Sequence, residues 1–315
     1  LCFSTLTPGQ RRFSYYAWGV LAWLLLVILW GAFVRATGSG AGCGSHWPLC
    51  NGVVLPRSPA VETLIELSHR LTSALAGLLV IGLLAWAFRA FPKGHRVRKG
   101  AVWTMAFILT EGLIGAVIVL FEWVAQDASM ARVLSMVLHL CNTYTLVAAL
   151  TLTAWWAAGG PPVRVRGQGR RSLLLGTLVA LLLGVAMLGA VTALGDTLFR
   201  ATSHAEGFAQ TFSDTSHLAV RLRVLHPVLA ILTGAVLFWC VRVLGAGNAA
   251  DAPVRRLGGL LEILYLGQVA LGVVNVYLLA PVWMQLLHLL LADVLWIFFV
   301  LFAATVLAVP PPDVP

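Results

Sequence analysis

The chain has 315 residues, of which 60% are hydrophobic and only 10% charged, and its mean hydropathy is +0.91. That composition excludes a water-soluble globular domain and a disordered chain, and marks an integral membrane protein. The formal net charge of +9 invites a nucleic-acid reading, which the placement of the basic residues removes.

Apolar runs long enough to cross a hydrocarbon core of ~30 Å occupy 15–34, 63–88, 101–121, 132–156, 172–194, 218–243, 257–280 and 284–307. Barrel strands alternate between apolar and polar residues, whereas these runs are continuously apolar. All eight are therefore read as helices that satisfy their own backbone hydrogen bonds. The first follows a polar segment with Arg11 and Arg12, and it is too long for a removable signal peptide and lacks a persuasive cleavage site.

The loop after the first span reads VRATGSGAGCGSHWPLCNG and carries Cys43 and Cys50. The second span opens with IELSHRL, bringing Glu66, His69 and Arg70. The fourth opens on His139, the sixth on His226 just after Arg221 and Arg223, and the eighth on His288. Basic residues gather in the alternate connections. Arg11, Arg12, Arg89, Lys93, Arg96, Arg98, Lys99, Arg164, Arg166, Arg170, Arg171, Arg242, Arg255 and Arg256 lie on one side. The remaining arginines lie opposite, among Glu62, Glu66, Glu122, Asp127, Asp196, Glu206 and Asp214. By the positive-inside rule both termini are cytoplasmic. The basic face needs no partner beyond anionic lipid, so no nucleic acid is expected.

This orientation puts His69, His139, His226 and His288 at one depth near the outer surface, within about the first two turns of the even-numbered spans. Polar groups at that depth face a bundle interior rather than lipid. A single histidine there reads most simply as an interhelical hydrogen-bonding residue. Four at equivalent depth point to metal macrocycles, because neutral imidazole is a common haem-iron ligand.

The chain also repeats. His69 to Glu111 and His226 to Gln268 are both 42 residues, within the similar stretches EGLIGAVIV and GQVALGVVNV. The expected fold is an all-α membrane protein of eight transmembrane helices, arranged as two pseudo-symmetric four-helix bundles over 1–160 and 161–315. His69 with His139 and His226 with His288 are then the natural axial pairs, one in each bundle.

The halves differ where chemistry can lodge. The cysteine loop faces an oxidising compartment, where a Cys43–Cys50 disulfide is expected, chiefly as a staple. Free thiols remain an alternative, as does a zinc site with His46 that lacks a clear fourth ligand. Cys2 is terminal, and Cys141 and Cys240 read as packing residues. Glu66 lies one turn outward from His69 on the same face, where the second half has Arg223. It is a candidate for moving protons, with a helix-end snorkelling glutamate as the plainer reading. Arg35, Arg70, Arg221 and Arg223 are candidates for haem propionates, the first two at the first site; interfacial snorkelling is the plainer reading for each.

Taken together, GAFVRATGSGAGCGSHWPLCNG, ELSHRL, LHL, LHP and GVVNVYL followed by LLHLLLA resemble the haem A synthase family over nearly the whole chain. The resemblance implies an oxidoreductase of a bacterial plasma membrane that converts the C8 methyl group of haem O to the formyl group of haem A. It implies that His69 and His139 hold the substrate haem, that His226 and His288 hold a haem b relaying electrons, and that Glu66 is catalytic. Its implied partners are the haem O synthase and the cytochrome oxidase assembly machinery. Three departures stand beside the match: His46 before Trp47, Glu111 where a glutamine is more usual, and no cysteine pair in the second-half outer loop. A dihaem b-type cytochrome exchanging electrons with quinone would need the same histidines but not Glu66. A repeat-based transporter, with Glu262 and Asp293 as its acids, is a third class. The sequence leaves open whether copies of the chain self-associate.

Overall fold

A computed structural model describes residues 6–246 and 252–308; Cys2 lies outside the described residues. Among these the protein is all-helical apart from two isolated β-bridges. The elements are α1 (Pro8–Ala36), α2 (Val61–Ala90), α3 (Arg96–Leu120), α4 (Met130–Ala157), α5 (Arg170–Leu198), α6 (His204–Phe212), α7 (Leu218–Arg221), α8 (Leu225–Gly245), α9 (Ala252–Tyr277) and α10 (Val282–Val306). A 3₁₀ turn at Leu222–Val224 joins α7 to α8 into one span. The eight spans run from 25 to 30 residues, or about 37 Å and more at ~1.5 Å per residue, sufficient to cross a bilayer. The protein is an integral multi-pass membrane protein.

Each end is set locally. Thr7 and Gln10 form a capping box with Pro8 at the first turn of α1, and Ser129 caps α4 by accepting from Arg132 N. Large apolar side chains such as Leu78, Ile81, Leu109, Leu113, Ile263 and Val276 point outward, as lipid-facing residues do and as water would not permit in such density.

The helices pack as two rings. α1, α2, α3 and α4 each touch the next and α4 returns to α1, while α5, α8, α9 and α10 close in the same order. The rings meet through α1, α4, α5 and α10: α4 lies on α10, α1 on α5, α1 on α10 and α4 on α5. Exchanging the halves maps this contact set onto itself, as a two-fold axis between the bundles requires. Trp296 Nε1 crosses the interface to donate to Tyr144 O at 2.8 Å. Within the first ring α1 grips α2 by three side chains: Tyr16 OH to Leu79 O at 2.8 Å, Trp23 Nε1 to Thr72 O at 3.2 Å, and Trp30 Nε1 to Ser68 Oγ at 3.0 Å. These contacts fix the rotation of α2, and with it the direction of His69.

Candidate haem sites

Three of the four histidine-bearing helices begin two residues outside their apolar runs, α2 at Val61, α4 at Met130 and α10 at Val282, while the sixth span begins with its run at Leu218. His69 lies eight residues after Val61, His139 nine after Met130, His226 eight after Leu218 and His288 six after Val282. All four remain at matching depth, and all are half-buried.

In the second bundle the rings of His226 and His288 stand 6.4 Å apart, centre to centre, and nearly perpendicular at 79°. Two iron–nitrogen bonds of about 2 Å, each extended by about 1.2 Å from ring nitrogen to ring centre, require about 6.4 Å. The pair therefore fits a bis-imidazole iron. His226 Nδ1 contacts Val185 O at 3.0 Å; the carbonyl can only accept, so Nδ1 carries the proton and Nε2 keeps its lone pair for a metal. His288 Nδ1 is buried without a partner, and its Nε2 meets Gln268 Nε2 at 3.1 Å.

The first bundle carries His69 on α2 and His139 on α4. His69 Nδ1 is likewise buried and unpartnered. His139 Nε2 lies 2.9 Å from Glu111 Oε1, and the Glu111 carboxylate also accepts from Asn142 Nδ2 and Thr143 Oγ1. The sequence repeat marked Glu111 and Gln268 as equivalent. Spacing gave no sign that each touches the histidine of the neighbouring helix.

Glu66 is buried, with only 3% of its surface exposed, beneath the cysteine loop. Its Oε2 accepts from Cys43 N at 2.7 Å, and its Oε1 is ion-paired with Arg70 one turn on. Arg70 Nη1 in turn donates to His46 O and Leu49 O at 2.6 and 2.7 Å. Cys43 and Cys50 are joined by a disulfide and both are buried. Gly42 rests on the Glu62 backbone, with no space for a Cβ, while Thr63 Oγ1 donates to Gly42 O at 2.7 Å. The loop is thereby fastened over the outer end of α2, with Glu66 between it and His69.

The arginines are placed differently from one another. Arg35 reaches across to the second half, donating to Ala193 O at 2.8 Å, Thr197 Oγ1 at 2.9 Å and Gln285 Oε1 at 3.2 Å. Arg223 pairs with Asp196 at 2.9 Å. Arg221 lies on the surface, 3.7 Å from Asp214. Of the two acids noted for a transporter, Glu262 pairs with Arg242 and Asp293 is buried on α10.

A profile of the family described as cytochrome oxidase assembly protein matches residues 14–300. The chain belongs to that family. Among its relatives, a protein of Thermus thermophilus named protoheme IX farnesyltransferase is 52% identical over 304 residues, 96% of this chain but 49% of that protein. Heme A synthases from Geobacillus kaustophilus and Halalkalibacterium halodurans are 43% and 36% identical over 122 and 152 residues. Those matches cover 39% and 48% of this chain, and 38% and 50% of the relatives. The chain spans about half the length of the first of these.

Proposed function

We propose that the protein is a haem A synthase of a bacterial plasma membrane with cytoplasmic termini. In this reading it oxidises the C8 methyl group of haem O to a formyl group in successive steps. The observation that carries the proposal is the His226–His288 pair, spaced for a bis-imidazole iron, with His69 and His139 in the corresponding places of the first repeat. His69 and His139 hold the substrate haem within residues 1–160, and His226 and His288 hold a haem b within 161–315. A haem b held by His226 and His288 would supply one-electron transfer between the first site and an external acceptor.

The protein's own residues do the remaining work. Glu66 is fixed by the Cys43 N–H and by Arg70 one turn outward from His69, where it accepts a proton or stabilises positive charge as electrons leave the substrate. Arg223, half-buried at the outer end of the second bundle, is the best placed of the four arginines for a propionate. Arg70 acts on the substrate through Glu66 and the loop, and Arg35 serves the seam between the bundles.

The Thermus relative's name denotes farnesyl transfer to protohaem, which makes a farnesylated haem. We take that reaction to belong to the part of the relative outside the match, and we place this protein directly after such a transferase.

Pigment analysis of the purified wild type and of the His69→Ala, His226→Ala and Glu66→Gln variants tests the reading. His69→Ala should lose haem O and haem A but keep haem b, and His226→Ala the reverse. Glu66→Gln should keep both haems and make no formyl product. Haem b alone at both wild-type sites would mean an electron-transfer cytochrome instead.

A further inference from the structure

Each candidate ligand faces a glycine on the preceding span: His69 faces Gly31 of α1, His139 Gly115 of α3, His226 Gly189 of α5, and His288 Gly272 of α9. A Cβ at Gly31 would fall 2.9 Å from His69 Cε1 and 3.1 Å from its Nε2. One at Gly189 would fall 2.9 Å from His226 Cε1 and 3.2 Å from its Nδ1. At Gly272 the distance to His288 Cε1 is 3.2 Å, and at Gly115 the distance to His139 Cε1 is 3.9 Å, an ordinary contact. Glycine inside a helix is unfavourable relative to alanine. Among the other helical glycines, Gly19, Gly77, Gly112, Gly176 and Gly259 meet nothing within 4 Å, while Gly82, Gly100, Gly234 and Gly258 pack closely on Tyr16, Thr153, Tyr265 and Val241; what sets Gly31, Gly115, Gly189 and Gly272 apart is that each faces a candidate ligand at the matching place of its bundle.

We propose that Gly31, Gly189 and Gly272 are positioning residues for His69, His226 and His288, and that the wider clearance at Gly115 leaves His139 as the adjustable ligand. The inference rests on the haem reading above. A methyl group at Gly31 or Gly189 would overlap the ring and turn it; at Gly115 it would touch without displacement. His139 also has Glu111 as an alternative partner for Nε2 at 2.9 Å. His288 Nε2 has an equivalent neighbour in Gln268 at 3.1 Å, so it is the wider clearance at Gly115, and not the second partner, that sets His139 apart; that freedom suits a site that takes in one haem and releases another. The second bundle, with its tighter Gly272, suits a haem that stays.

The test uses the full chain purified with its haems, carrying alanine at Gly31, Gly115, Gly189 or Gly272, with Gly19→Ala, Gly112→Ala and Gly176→Ala as controls on the same helices. Haem retention is read by pigment analysis, ring orientation by the low-spin ferric EPR signal, and folding by helical circular dichroism. Gly31→Ala should retain haem O and haem A about tenfold more weakly, and Gly189→Ala should do the same to haem b, as overpacking a tight contact predicts. Both should shift the EPR signal at unchanged helicity, while Gly115→Ala stays like its control. If His69→Ala and His226→Ala keep both pigments, the haem reading itself fails. If those lose pigment while Gly31→Ala and Gly189→Ala keep it with an unshifted signal, only the glycine proposal fails. Equal losses from Gly31→Ala and Gly115→Ala overturn the grading. Misfolding of both Gly31→Ala and Gly189→Ala beside folded controls overturns the proposal too, because the contact then serves the bundle and not the ligand.

Discussion

Glu111 and Gln268 occupy the same place in the two repeats and touch the same ring nitrogen of the facing histidine, at 2.9 Å from His139 and 3.1 Å from His288. One is a carboxylate with three donors around it and the other an amide. Negative charge beside an iron ligand favours the ferric state. Glu111→Gln, which makes the first bundle resemble the second, should raise the reduction potential of the first-half haem by about 60 mV, one tenfold step for a one-electron couple. Spectroelectrochemical titration of the variant measures this; an unchanged or lowered potential would show that the carboxylate does not act on the iron.

Removing Arg70 should destabilise the outer end of α2 strongly. Arg70→Ala leaves the buried Glu66 carboxylate without its cation and frees the loop carbonyls of His46 and Leu49. Breaking one partner of a buried pair costs about 3–5 kcal/mol. Unfolding in detergent should show a loss of that order, with faster proteolysis between Gly44 and Asn51. Arg70→Lys should recover only part of it, since a single ammonium cannot reach the carboxylate and both carbonyls in the same fork geometry.

Arg35 joins the bundles. Its three acceptors, Ala193 O, Thr197 Oγ1 and Gln285 Oε1, all belong to the second half, and hydrogen bonds to a charged donor contribute about 1.5–3 kcal/mol each. Arg35→Ala should lower the thermal midpoint and raise hydrogen exchange along α5 and α10 together. An effect confined to α1 would refute this coupling.

The start of α3 should be acid-sensitive. His95 caps it by accepting from Val97 N at 3.3 Å, and burial, with Arg96 beside it, pushes its pKa below the ordinary 6.5. The folded state therefore prefers neutral His95. Its contribution is fully present above the unfolded value and is lost as pH falls through the folded one, because a protonated ring cannot accept. Circular dichroism should show α3 fraying as pH falls below the ordinary histidine value of 6.5. His95→Asn, which caps without titrating, should remove that component.

Much of the architecture was legible because a bilayer leaves few solutions. Twenty apolar residues in lipid must be helical, so eight runs became eight spans, and the equal His69–Glu111 and His226–Gln268 spacings exposed the duplication. What escaped was whatever depends on which side chain faces which. The short helix His204–Phe212 lies in a polar loop with no spanning signal. Arg35 reads in sequence like Arg70, yet one crosses the seam and the other turns back onto Glu66; rotation of α1 decides this, and composition does not encode it. The contact of Glu111 with His139 needed α3 and α4 in register. The Cys43–Cys50 pairing was readable from topology, but not that Glu66 lies directly beneath Cys43.

Of the eight spans α10 is the most enclosed, with half of its central window shielded by α9, α4, α1 and α5. It is also the last of them to leave the ribosome. The seven earlier spans must therefore wait in the bilayer with Tyr144 O and the Arg35 fork short of their final partners, Trp296 and Gln285. Assembly of these eight spans is then like an arch, standing only when its keystone drops in, and a nascent chain stalled before residue 282 should stay vulnerable to membrane quality control.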